Sequence, residues 1–139
     1  MSKSLISGLL ASALVFGPVA AARADTSIAC MYMLMRVYHA ELDACHVGLS
    51  KDREERYERL KSGMEKFINA NAKNDPKLII SGIEKDNIPR ALKGLKDCRS
   101  DDFKYAVQAL DQITTADNEK MVNGTLGLKR DPMVGDCGT

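Results

Sequence analysis

Cys30 and Cys45 stand fifteen residues apart inside one heptad-patterned segment, and this spacing limits the possible folds more than any other feature of the chain. Ile28, Met35, Leu42 and Leu49 recur every seven residues, with Met31, Tyr32, Tyr38, His39, Cys45 and His46 between them. Apolar residues at that spacing form one face of an amphipathic helix. The pattern predicts a helix over about 26–48, capped by Asp25, Thr26 or Ser27 and ended by Gly48. A continuous helix rises about 1.5 Å per residue, so the two cysteines lie roughly 22 Å apart. A disulfide needs Cα atoms within about 7 Å. Each of the pair must therefore bond to Cys98 or Cys137, the other two of the chain's four cysteines. The expected bridges are Cys45–Cys98, between two apolar helix faces, and Cys30–Cys137, which pins the end of the chain to the start of helix one.

The cysteines are expected to be oxidised because of what precedes them. Lys3 supplies a positive start, Leu5 to Phe16 an apolar run, and Ala22-Arg23-Ala24 a small-x-small cleavage site. Residues 1–24 thus read as a signal peptide, and the protein is expected to be periplasmic or secreted. The apolar run is too short to span a bilayer, and no later stretch approaches that length. Cleavage removes Lys3 and Arg23 but no acid, leaving 18 basic and 19 acidic side chains in one domain, 25–139. A balance so near neutrality argues against nucleic acid as the partner.

The remaining pattern is helical throughout. Ser50 is placed to cap a second helix with Tyr57, Leu60, Met64, Phe67 and Ile68 inward and a dense charge array outward. Asp75-Pro76 starts a short helix to about Lys85, expected to bury Leu78, Ile79 and Ile83. Pro89 opens another, with Ile88, Leu92, Leu95 and Cys98 on one side. Ser100 caps a fifth, with Phe103, Ala106, Val107, Leu110 and Ile113 as its core face. One or two further turns are expected over Ala116–Val122, ended by Gly124 as a left-handed cap. Residues 125–139, with three glycines and a proline, read as an irregular tail. No segment alternates with period two. The fold class is all-α: a disulfide-stapled, up-and-down bundle of four to five helices.

Chemistry is sparse. Met35, His39, Asp43 and His46 fall within about 80° of arc on helix one, and Met, His and Asp together suit copper or zinc. His39 and His46 are about 10 Å apart along the axis, so only half a site, His39 with Asp43 or Asp43 with His46, is local. Met31, Met33 and Met35 alternate as a Cu(I) motif would, but on a helix Met33 points away from the other two. No G-x-S-x-G occurs, bonded cysteines are not nucleophiles, and no cofactor motif is present. Of the carboxylate pairs, neither Glu54-Glu55 nor Asp101-Asp102 sits in an apolar setting, and Asp101 and Asp102 read as helix-start residues. Asn123-Gly124-Thr125 matches a glycosylation sequon.

The stretch Ala91-Leu92-Lys93-Gly94-Leu95-Lys96-Asp97-Cys98, continued by Phe103, Tyr105, Ala106 and Leu110, is similar to the third-cysteine region of plant invertase and pectin methylesterase inhibitors. The resemblance covers about 20 residues and implies an exported four-helix bundle that binds enzymes. In that family the first two cysteines bridge a helical hairpin, whereas here they share one helix, and the family is not assigned. The expectation from the residues is a non-enzymatic exported protein acting through an unidentified protein partner. A metal-binding protein using the helix-one cluster is the alternative.

Overall fold

A computed structural model describes residues 26–137; the segment read as a signal peptide lies outside the described residues. The architecture is all-α. Helix α1 (Ile28–Ala44) packs against α2 (Lys51–Asn71), α4 (Ile88–Gly94) and α5 (Asp101–Ile113), while α6 (Ala116–Leu126) lies along α2. Between α2 and α4 run α3 (Pro76–Gly82) and a π-helical turn (Ile83–Asn87). The stretch 76–94 is thus one helical run with a π turn in its middle, and counting it once gives five helices among the described residues. No strand occurs among the described residues, only an isolated bridge between Thr26 and Asp136. The core gathers Ile28, Tyr32, Met35 and Leu42 of α1 with Tyr57, Leu60, Met64 and Ile68 of α2 and Leu110 of α5, all at most 2% exposed.

Local chemistry explains most boundaries. Ser27, Ser100 and Thr115 each accept a backbone N–H from three residues on, satisfying a donor that the first helical turn leaves free. Asp75 does the same for α3 through the Lys77 N–H. Ser50 has cap geometry but makes no side-chain cap bond, and the first turn of α2 relies on Asp52 and Glu54 at its positive end.

Five expectations are corrected. Helix α1 ends at Ala44, not near Gly48. His46 takes a left-handed φ of 56°, and the Val47 and His46 N–H groups donate to the Leu42 and Asp43 carbonyls at 2.9 and 3.0 Å. This is a Schellman stop with histidine in the position that usually holds glycine. A β-carbon there costs about 1 kcal/mol. His46→Gly is therefore expected to raise stability by about 0.5–1 kcal/mol, read as a rise in the midpoint of urea unfolding.

The second correction concerns Cys98. It stands in an exposed turn, not on a helical core face. Helix α4 stops at Gly94, Leu95 turns extended, and the Asp97 carboxylate accepts the Arg99 N–H. That aspartate turn competes with the helix. Third, Leu78 is 70% exposed and Ile79 half-buried; of the expected trio only Ile83 is buried. Fourth, Gly124 is not a left-handed cap. Helix α6 continues to Leu126, whose Cδ1 would lie 3.0 Å from any β-carbon on Gly63. The close packing of Leu126 on that glycine outweighs the weak helix propensity at Gly124. Fifth, the tail consequently begins at Gly127 and not at Thr125, which is itself buried in α6.

Two disulfides staple this arrangement. Cys45 joins Cys98 with Cα atoms 5.7 Å apart, and Cys30 joins Cys137 at 5.3 Å. No cysteine is free among the described residues. No helix there is long and apolar enough to cross a membrane. Fully bonded cysteines suit an oxidising compartment.

Candidate functional site

Helix α1 does not assemble the four side chains expected of a metal site. Met35 is fully buried in the core. His46 leaves the helix at the Schellman stop and is exposed. His39 and Asp43 do meet, Nδ1 to Oδ2 at 3.2 Å, but the other ring nitrogen faces Glu54 of α2 at 3.0 Å. The imidazole also stacks on Tyr57, with centroids 3.9 Å apart and planes at 15°. Both nitrogens are thus held by carboxylates, and His39 works as a clasp between α1 and α2. Among the described residues no group of three or more His, Cys, Asp or Glu side chains is arranged to hold a metal ion.

Next to that clasp lies a polar network absent from the sequence reading. Arg36 donates to both carboxylate oxygens of Glu84 on the π turn, at 2.7 and 2.8 Å, and also to the Tyr57 hydroxyl. The Tyr32 hydroxyl donates to Glu65 at 2.8 Å and lies 3.3 Å from Glu84. The Arg36 hydrogen bonds hold the Glu84 carboxyl below the usual carboxylate range. Burial pushes the Tyr57 hydroxyl up to about 12 against the opposing pull of Arg36. Burial, then the Glu65 hydrogen bond, likewise raises Tyr32. Both phenols are kept neutral, and the network ties α1, α2 and the π turn together. The sequence did hold a signal for it: Arg36 is the only charged residue over 28–40, and a lone charge on an apolar helix requires a partner.

Among the described residues, three of the exposed large apolar side chains stand together on one hydrogen-bonded irregular segment. In the tail, Leu128, Met133 and Val134 are 52%, 56% and 54% exposed. Their backbone is nevertheless fixed. Pro132 is fully buried, and its carbonyl accepts the Ala29 N–H at 3.0 Å and the Ser27 hydroxyl at 2.8 Å. Ser27 N–H donates to Asp136 O at 2.9 Å, and Arg130 donates to Thr26 O at 2.7 Å. The Asp131 carboxylate accepts from the Lys73 and Met133 N–H groups, which hold its carboxyl below the usual range. Cys30–Cys137 closes the segment covalently. The tail thereby supplies acceptors to the free N–H groups that begin α1.

Between the tail, the start of α1 and the 76–94 run lies an open cleft of about 380 Å³. Met33, Ile79, Ile83 and Met133 form its apolar walls, with the Cys30–Cys137 bridge at one side. Of the sequence-predicted site residues, only these two cysteines line it. No protein family, curated protein or solved structure matches the chain.

Proposed function

We propose that the mature chain is an exported, non-enzymatic binding protein that acts through a protein partner, as an inhibitor, an immunity-type protein or an accessory factor does. One observation carries this reading: the apolar side chains of Leu128, Met133 and Val134 are presented to solvent on a backbone that a disulfide and several hydrogen bonds hold in one shape. Binding loses conformational entropy when a loop must be ordered, and a loop fixed in advance avoids that loss. Fixed apolar anchors are what the centre of a protein interface uses. The charge array of α2, by contrast, is occupied by ion pairs with its own neighbours, such as Arg59–Glu119 and Arg53–Asp111, and exposed pairs of that kind add little.

The test is capture from the native envelope fraction with the oxidised protein, beside a Leu128→Asp/Val134→Asp variant. Both side chains are exposed, so the variant is expected to melt within a few degrees of the parent while losing at least 90% of the captured partner. Equal capture by parent and variant would remove the tail from the interface. A protein that captures nothing and instead turns over a small substrate would overturn the reading as a whole.

A further inference from the structure

The cleft beneath the tail has a glycine in its helical wall. Gly82 lines it, and its backbone is ordinary right-handed helix, φ −62° and ψ −41°. No turn or positive φ requires a glycine there, and a glycine inside a helical run weakens it. A β-carbon at Gly82 would meet nothing within 4 Å, so this wall of the cleft has room for a larger side chain.

The walls say what the cleft would hold. No lining side chain is ionised; Met33, Ile79, Ile83 and Met133 are its large apolar side chains, and methionine adapts its shape to varied apolar ligands. One polar group stands apart. Asn87, last residue of the π turn, lines the cleft and has no hydrogen-bond partner for its side-chain amide among the described residues. The other polar group, the Ser27 hydroxyl, is already committed to Pro132 O. An apolar cavity of this size with one unpaired donor and acceptor matches the general form of a small-molecule site. π turns inserted in α-helices recur at such sites, because the extra residue re-aims a side chain.

We propose that this cleft binds a small, uncharged, apolar molecule with a single hydrogen-bonding group, its body against Met33, Ile79, Ile83 and Met133 and its polar group at Asn87. The cleft shares Met133 with the surface proposed for the protein partner, but Leu128 and Val134 do not line it, so variants at those two positions separate the two surfaces.

N-phenyl-1-naphthylamine, a neutral aromatic amine with one N–H, is a suitable probe. Titrated into the oxidised protein, its fluorescence is expected to rise and saturate at one equivalent, with a Kd on the order of 1–100 µM. Gly82→Leu is expected to weaken binding at least tenfold while leaving Tm unchanged or a few degrees higher. Asn87→Leu is expected to weaken it about two- to tenfold, the range of one hydrogen bond. Leu128→Asp/Val134→Asp is expected to leave it unchanged. In the unsubstituted protein, the Asn87 side-chain amide signals in a nitrogen–proton correlation spectrum are expected to shift with the probe, a readout that holds even where a variant fails to fold. A non-saturating rise, binding untouched by Gly82→Leu in a folded variant, or Asn87 signals indifferent to the probe would overturn the proposal. So would Asn87 signals that move with protein concentration alone, which would make a second copy of the chain the occupant.

Discussion

A Cys45→Ser/Cys98→Ser variant is expected to unfold at a lower urea concentration than the parent, with about 2–4 kcal/mol of stability lost. The bridge closes a separation of 53 residues, for which chain entropy gives about 4 kcal/mol. Its surroundings support a loss from the unfolded state rather than from packing. Cys98 is exposed and Cys45 half-buried, so the serines open no cavity and leave no buried polar group stranded. In the folded state the bridge holds the end of α1 beside the turn that enters α5. Unfolding is expected to remain cooperative, because the core of α1, α2 and α5 is untouched. A loss under 1 kcal/mol would mean that the unfolded chain keeps these segments together without the bond. Cys30–Cys137 should behave differently: with the tail also held by Pro132, Arg130 and Asp131, its removal is expected to show first as faster amide exchange over 127–137.

Arg36→Met is expected to cost about 2–4 kcal/mol, because it leaves the Glu84 carboxylate and the Tyr57 hydroxyl without their common donor in a half-buried site. Arg36 and Glu84 side chains are 18% and 34% exposed, enough burial for an unpaired charge to be costly and enough water to keep the figure below that of a deep pair. A double replacement, Arg36→Met/Glu84→Met, is expected to lose less than the two single losses added together, by at least about 1 kcal/mol. Additive losses in urea melts would show the two groups to be independent. The pair also sets an acid limit. Glu84 is held below its ordinary 4.5 by Arg36, so the unfolded chain takes up this proton first and stability rises with pH across that interval. Its contribution is complete above about 4.5 and disappears as pH falls through the lowered folded value. Glu84→Gln should flatten that limb of a Tm-against-pH curve. Glu41 acts in the opposite sense: burial and then Asp102 raise its carboxyl, so acid relieves a cost there.

What the sequence made legible was what local spacing decides. The seven-residue recurrence from Ile28 to Leu49 located α1, and helix rise alone excluded a Cys30–Cys45 bond; the serine and aspartate caps marked α3 and α5. What it did not disclose depends on partners distant in the chain. Nothing near Gly124 indicates that Leu126 will settle on Gly63. Nothing near His39 indicates Glu54, fifteen residues on, and the heptad spacing puts His46 on the same face although the Schellman stop takes its backbone out of the helix. The tail read as irregular and is irregular, yet its order comes from carbonyls that cap a helix more than a hundred residues earlier. A cleft formed by three separated segments has no periodicity to find, and Gly82 and Asn87 carry no motif.

The two disulfides are nested, Cys45–Cys98 lying wholly within the span closed by Cys30–Cys137. Covalently the oxidised molecule is a ring within a ring. One peptide bond cut anywhere between 46 and 97, in the 72–75 connection for instance, separates nothing: both halves stay joined through the inner bridge and again through the outer one. The integrity of the oxidised protein thus does not depend on an unbroken backbone. A nicked chain remains one molecule, with its tail still fixed across the start of α1.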